Sequence, residues 1–221
     1  MTRAELAKLL DHSVLKPEAT ESDIIGGAER VRQWGIGFYC VQPSYASIAA
    51  RALRDSGAHV ISVVGFPHGC DRSVVKVRSA TLAVQDGAAE IDMVMNVGKL
   101  KSGRTQAIAS EIAQVVRAIP NIPVKVILEN CLLTDDEKVI SCRLVQDAGA
   151  AFVKTSTGFH PGGGAALSDV RLMRASVGAD FGVKAAGGIR TLADAMAMLE
   201  AGANRLGTSA SAGILAALPI Y

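Results

Sequence analysis

The sequence predicts a (β/α)8 barrel, and three observations predict it. A helix-to-strand punctuation recurs along the chain, eight short apolar runs follow one another at similar intervals, and those runs do not alternate between apolar and polar residues. A Gly-Ala dipeptide recurs at residues 57, 87, 149, 178 and 202, mostly after a stretch of helical period and before a short apolar run. That order reads as helix, C-terminal glycine and buried strand. The wide interval between 87 and 149 holds two units, with IPNIPVKVILE where the missing punctuation belongs.

In chain order the predicted strands are LDHSV (10–14), FYCVQ (38–42), VISVVGF (60–66), EIDMVMN (90–96), VKVILEN (124–130), AFVKTS (151–156), GVKAAG (182–187) and NRLGTS (204–209). They are mostly apolar and do not alternate, as parallel strands covered on both faces should be. Helix starts are legible where Thr20 precedes Asp23, Thr134 precedes Glu137 and Thr191 precedes Asp194, each at capping-box spacing. Eight such units, each of about 22 to 34 residues, suit a closed barrel. A doubly wound open sheet is the runner-up, but no GxGxxG follows the first strand. No linker, low-complexity segment or charge block interrupts the pattern, so one domain is expected over 1–221.

Composition narrows the class. Of 221 residues, 49% are hydrophobic and 20% charged, which excludes a disordered chain. With 23 Lys+Arg against 21 Asp+Glu, the net charge of +2 leaves no electrostatic footprint for nucleic acid. Mean hydropathy is +0.29, yet no run of about 18 apolar residues marks a membrane span. The opening MTRAELAKLLDH has no apolar core of a signal peptide. Cys40, Cys70, Cys131 and Cys142 show no short paired spacing and read as reduced thiols. A soluble cytoplasmic protein is expected.

In such a barrel, chemistry belongs at the C-terminal ends of the strands. Three charged residues stand out there: Asp92 in EIDMVMN, Lys154 in AFVKTSTG and Lys184 in FGVKAAGG. Burying an unpaired charge costs several kcal/mol, so these residues need a reason. Lys154 and Lys184 fall on consecutive strands, about 4.8 Å apart if paired. Mutual repulsion and burial both favour loss of a proton, so one of the two amines should be depressed. A depression of about 3 units costs about 4 kcal/mol and supplies a free amine, the nucleophile for Schiff-base formation with a carbonyl. A single strand lysine is more often a snorkelling or paired surface group. Two on neighbouring strands, each followed by small residues and glycine, favour chemistry. Lys125, just after Pro123, reads as structural and belongs at the opposite, stability face.

Asp92 reads either as a neutralising partner or as a proton shuttle. Asp11 reads equally as electrostatic support or as a helix N-cap within DHSVLKP, and Glu129 has no assigned role. Gly187-Gly188 and Gly207-Thr208-Ser209 end the last two strands, where bare backbone N–H groups commonly bind phosphate. Gly158 adds another such group, although Gly-Gly is also plain turn punctuation. His12, His59, His68 and His160 show no metal-ligand spacing, so no metal site is expected. Cys40 reads as a small buried hydrophobe.

FVKTSTGF (152–159), GVKAAGGIRT (182–191), EIDMVMNVG (90–98), VISVVGFPHG (60–69), FYCVQP (38–43) and LDHSVLKP (10–17) resemble, in order, the deoxyribose-phosphate aldolase family. The resemblance runs from residue 10 to about 213. It implies a class I aldolase that needs no cofactor or metal and interconverts 2-deoxy-D-ribose 5-phosphate with D-glyceraldehyde 3-phosphate and acetaldehyde. By motif match, Lys154 is the Schiff-base lysine, Lys184 the lysine that perturbs it and relays protons, and Asp92 the proton donor and acceptor. Asp11 matches the family's acid in the first strand. Gly158, Gly187, Gly188, Gly207 and Ser209 match its phosphate contacts, and Tyr221 matches a C-terminal proton relay, with a frayed tail as the alternative. The resemblance further implies small-molecule partners, a sugar phosphate and acetaldehyde, and a homo-oligomer, dimer or tetramer.

Local departures are Ser13 for Thr, Asn130 for Thr and Ala210 for a second Ser. The missing Ala210 hydroxyl implies one phosphate hydrogen bond fewer, about 1 kcal/mol and about tenfold in KM. Two other functions fit the residues: a different Schiff-base sugar-phosphate aldolase, and a non-catalytic barrel that binds phosphometabolites.

Overall fold

The computed structural model describes residues 1–219; Ile220 and Tyr221 lie outside it. Eight parallel strands close into a barrel in sequence order, the last pairing with the first. They are β1 (Leu10–Val14), β2 (Phe38–Val41), β3 (His59–Val64), β4 (Glu90–Val94), β5 (Val124–Ile127), β6 (Phe152–Lys154), β7 (Gly182–Ala186) and β8 (Arg205–Thr208). Each predicted strand is present, most of them shorter than the apolar run that announced it. Their ends are trimmed where backbone groups leave the ladder for the loops that build the site.

The helices pack outside. After the short α1 (Arg3–Ala7) come α2 (Glu21–Trp34), α3 (Ala46–Ala52), α4 (Ser73–Gln85), α5 (Val97–Lys101) and α6 (Thr105–Ala118). Then follow α7 (Asp135–Asp147), α8 (Leu167–Val177), α9 (Leu192–Glu200) and α10 (Ser211–Ala216). Capping boxes close α2 at Thr20–Asp23, α7 at Thr134–Glu137 and α9 at Thr191–Asp194, as the spacing predicts. A fourth, Thr2–Glu5, starts α1 and was not read from the sequence.

Two separate cores result. The larger lies between strands and helices and takes the outward residues of the strands, such as Val60, Ile91, Val126 and Val183. The smaller lies inside the barrel on one side only, where Cys40, Ile61 and Val63 meet Leu15, Phe38 and Phe66. The opposite side of the interior holds charges. Pairing sets Lys154 beside Lys184, Asp92 beside Lys125 and Lys184 beside Arg205, so these side chains share the inward face. Lys125 is therefore not at a distant stability face as expected: it is completely buried inside the barrel and bonded to Asp92. Position near the start of β5 put it one layer below Lys154, but strand parity turned it inward.

The α9 cap fixes where the chain turns after β7. Thr191→Ala should lower the unfolding free energy by about 1 kcal/mol, with an unchanged urea m-value, in equilibrium denaturation.

Candidate active site

β6 ends on Lys154, and the ladder clamps that residue from both sides. The Lys154 carbonyl accepts from Leu128 N–H at 2.9 Å, and Thr155 N–H donates to the Lys184 carbonyl at 3.0 Å. The Thr155 hydroxyl then donates to the Ala186 carbonyl at 3.1 Å and accepts from Ala186 N–H at 3.0 Å. The two lysines are thus locked in register while their side chains converge on one carboxylate.

That carboxylate is Asp92, which has no exposed surface. Its Oδ2 accepts from Lys154 Nζ at 2.7 Å and from Lys184 Nζ at 2.6 Å, and its Oδ1 from Lys125 Nζ at 2.9 Å. Burial alone would raise the Asp92 pKa, but the three ammonium groups outweigh it and hold the carboxyl well below the usual range. Lys184 also meets Asp11; burial would lower its pKa, yet Asp11 and Asp92 together raise it. Lys154 differs. Burial dominates and Lys184 adds repulsion, so its pKa is lowered despite Asp92. Of this pair, Lys154 is the amine that holds its proton less tightly.

Asp11 supports Lys184 and accepts from Arg205 at 3.1 Å. The N-cap alternative is corrected: Asp11 lies within β1, and the next helix is capped by Thr20. Asp92 is behind the lysines, so it reaches the cavity only through them or through water.

Lys154 and Lys184 open onto a cavity of about 800 Å³ at the C-terminal end of the barrel. Its wall also includes Gly158, Gly187, Gly188, Gly207 and Ser209, all brought together as the motifs imply. The glycine loops touch backbone to backbone. Gly187 has φ +89°, and a Cβ there would meet Gly164 Cα at 2.9 Å and Gly158 Cα at 3.3 Å. Gly164 was not singled out, because a run of three glycines looks like ordinary loop; only the contact with Gly187 shows its use. Glu129 now has a place too. At φ +57°, it accepts from Thr157 N–H at 3.1 Å and from the Thr157 hydroxyl at 2.5 Å, holding the loop before Gly158.

Arg190 and Lys16 are exposed cations on the same wall, and Cys40 faces the site. The Cys40 thiol is buried and pushed up to about 11, first by burial and then by Asp92, so it stays neutral. Ala210 leaves the expected second hydroxyl missing. The neighbouring Ser211 hydroxyl does not replace it, being held at 2.8 Å by His12 Nδ1. Asn130 Nδ2 donates to Met173 Sδ at 3.1 Å, away from the glycine loops. Tyr221 lies outside the described residues. Among the described residues, no group of three or more His, Cys, Asp or Glu side chains is placed to hold a metal ion. Nor is any helix there long and apolar enough to cross a membrane.

A parallel eightfold barrel with a depressed lysine at a strand end, opening on glycine loops, has the architecture of an aldolase. The chain belongs to the DeoC/LacD family aldolases, whose family model matches residues 6–221. A deoxyribose-phosphate aldolase of Caldanaerobacter subterraneus subsp. tengcongensis is 49% identical over 213 residues, covering 95% of this chain and 92% of the relative. One of Streptococcus pneumoniae is 51% identical over 211 residues, covering 96% of each. Among solved structures, an aldolase named QR15 superposes with TM-score 0.92 at 37% identity, covering 96% of this chain and 94% of that one. The deoxyribose phosphate aldolase of Aeropyrum pernix, described as a unique tetramer, gives 0.90 at 30% identity, covering 97% and 91%. The protein is an enzyme of this aldolase class, as the motifs imply.

His12 stands at the wall of the cavity, 1% exposed, with its pKa lowered to about 4 by burial and by Arg30. The unfolded chain takes up that proton near pH 6.5, so between 6.5 and 4 the unfolded state binds more protons. Stability should fall by about 3 kcal/mol as pH drops through that window. Urea titrations across the window should show the fall in the wild type and a flatter profile in His12→Gln.

Proposed function

We propose that this aldolase cleaves 2-deoxy-D-ribose 5-phosphate reversibly to D-glyceraldehyde 3-phosphate and acetaldehyde, through a Schiff base on Lys154. The observation that carries the reading is the pairing of Lys154 with Lys184 over one carboxylate, at the floor of a cavity walled by glycine loops. The names of the relatives support the substrate.

The neutral Lys154 amine adds to the C1 aldehyde of the open-chain sugar, and loss of water leaves an iminium. Acetaldehyde carries away C1 and C2, so the bond that breaks is C2–C3. The C3 hydroxyl gives up its proton, C3 becomes the aldehyde carbon of glyceraldehyde 3-phosphate, and the bonding pair moves to the iminium, forming an enamine. Protonation of the enamine at C2 and addition of water to the iminium release acetaldehyde and the free amine. Lys184 is the protonated group beside the reacting carbon. Asp92, ionised behind it, returns the proton through Lys184 or a water.

Gly158, Gly187, Gly188, Gly207 and Ser209 hold the phosphate by backbone N–H groups and one hydroxyl, with Arg190 adding positive charge. This anchor fixes the leaving fragment away from the reacting bond, so that binding energy serves orientation. A dimer or tetramer belongs to the same reading, supported by the tetrameric Aeropyrum pernix relative.

Acetaldehyde with sodium cyanoborohydride should leave an ethyl group on Lys154 in peptide mass spectrometry. Lys154→Met should abolish that adduct and lower kcat by about 10,000-fold or more. No adduct, or adducts scattered over surface lysines, would sink the Schiff-base reading. Gly187→Ala forces a Cβ against the Gly164 backbone at positive φ. It should raise KM for the sugar phosphate at least about tenfold while acetaldehyde trapping on Lys154 survives.

A further inference from the structure

Beneath the site the charges form a closed ring. Asp92 meets Lys125 at 2.9 Å, and Lys125 meets Glu90 at 2.5 Å. Arg205 lies 3.1 Å from Glu90 and 3.1 Å from Asp11. Asp11 meets Lys184, which returns to Asp92 at 2.6 Å. Six residues from β1, β4, β5, β7 and β8 thus alternate in sign around the barrel interior, and all are buried. Lys154, on β6, is the one branch: among the described residues it has a single carboxylate partner, Asp92, whereas every member of the ring has at least two opposite charges.

Counted formally, the set holds four cations (Lys125, Lys154, Lys184, Arg205) and three carboxylates (Asp11, Glu90, Asp92). One positive charge is in surplus in a space where charge is expensive. Release of one proton makes the set neutral, and the cation held by the fewest partners releases it most readily. Lys154 is that cation, and it faces the cavity. Among the described residues the Cys40 thiol on β2 also acts on it, and that thiol is neutral and adds no charge. Lys184 alone does not produce this result: without Lys125 the set holds three cations and three carboxylates, and no surplus remains.

We propose that Lys125, gripped by Glu90, is a positioning residue for the nucleophile: it occupies Asp92 Oδ1, turns Oδ2 to the two lysines above, and supplies the buried positive charge that makes Lys154 the surplus cation. The proposal rests on Lys154 being the Schiff-base amine. Removing Lys125 leaves three cations and three carboxylates, so Lys154 keeps its proton to higher pH. Removing the Glu90 charge leaves four against two, so Lys154 loses its proton at lower pH. Removing both leaves three against two and restores the surplus of one.

The test is the pH dependence of acetaldehyde trapping on Lys154 with sodium cyanoborohydride, followed by peptide mass spectrometry. Relative to the wild type, the acid limb should move up by about one pH unit or more in Lys125→Met, about tenfold in trapping rate on that limb. It should move down in Glu90→Gln, return towards the wild-type position in Lys125→Met/Glu90→Gln, and stay in place in Lys125→Arg. A merely structural role would slow trapping in each of the first three variants without shifting their limbs in opposite directions. Limbs that stay in place, or move together, would overturn the proposal while wild-type trapping stands. Absence of a Lys154 adduct in the wild type at every pH would instead remove the Schiff-base reading, and this proposal with it. If Lys125→Met does not fold, the downward shift in Glu90→Gln alone decides.

Discussion

The Asp92 carboxylate, shared by three buried ammonium groups, is the contact on which the interior of this barrel depends. An ionised carboxylate with no exposed surface is stable only if its lone pairs are taken by opposite charges at hydrogen-bond distance. Lys125, Lys154 and Lys184 supply them from three consecutive strands, β5, β6 and β7. That requirement sets the register of half the sheet. It also explains why the smaller apolar core is confined to the β2–β3 side, because the other side is filled by charge.

The same contact organises reactivity. Asp11 and then Asp92 hold the proton on Lys184, and Lys154 is left as the amine in which burial prevails. Two lysines in paired positions on adjacent strands thereby acquire opposite tendencies, one to hold a proton and one to lose it. Separation of this kind is what acid–base chemistry near neutral pH needs. The glycine loops at the mouth complete the division of labour. They contribute backbone N–H groups and space but no charge of their own.

Legibility in the sequence follows how local each cause is. Capping boxes and apolar runs act over three to seven residues, and the helices starting at Thr20, Thr134 and Thr191 and all eight strands could be read directly. Lys154, Lys184 and Asp92 were legible because a charge in an apolar run is anomalous wherever the strand ends up. Lys125 carries the same anomaly, but its position early in β5 points to the opposite, stability face, and only its bond to Asp92 shows that it belongs with the site. Arg205 passed unnoticed at the edge of NRLGTS, since its partners Asp11 and Glu90 are 194 and 115 residues away. Asp11 was half read, and Gly164 not at all, for the same reason: each is explained by a neighbour distant in the chain.

By itself, then, the sequence determined the order of strands and helices, the strand-end lysines and the glycines that follow them, because periodicity, capping and the cost of burying charge are written in adjacent residues. Tertiary structure decided which carboxylate each lysine meets, how many partners it has and which of the two paired amines has its pKa lowered. Those outcomes depend on distances of 3 Å or so across a low-dielectric interior, and such distances exist only once β8 has paired with β1 and the barrel is closed.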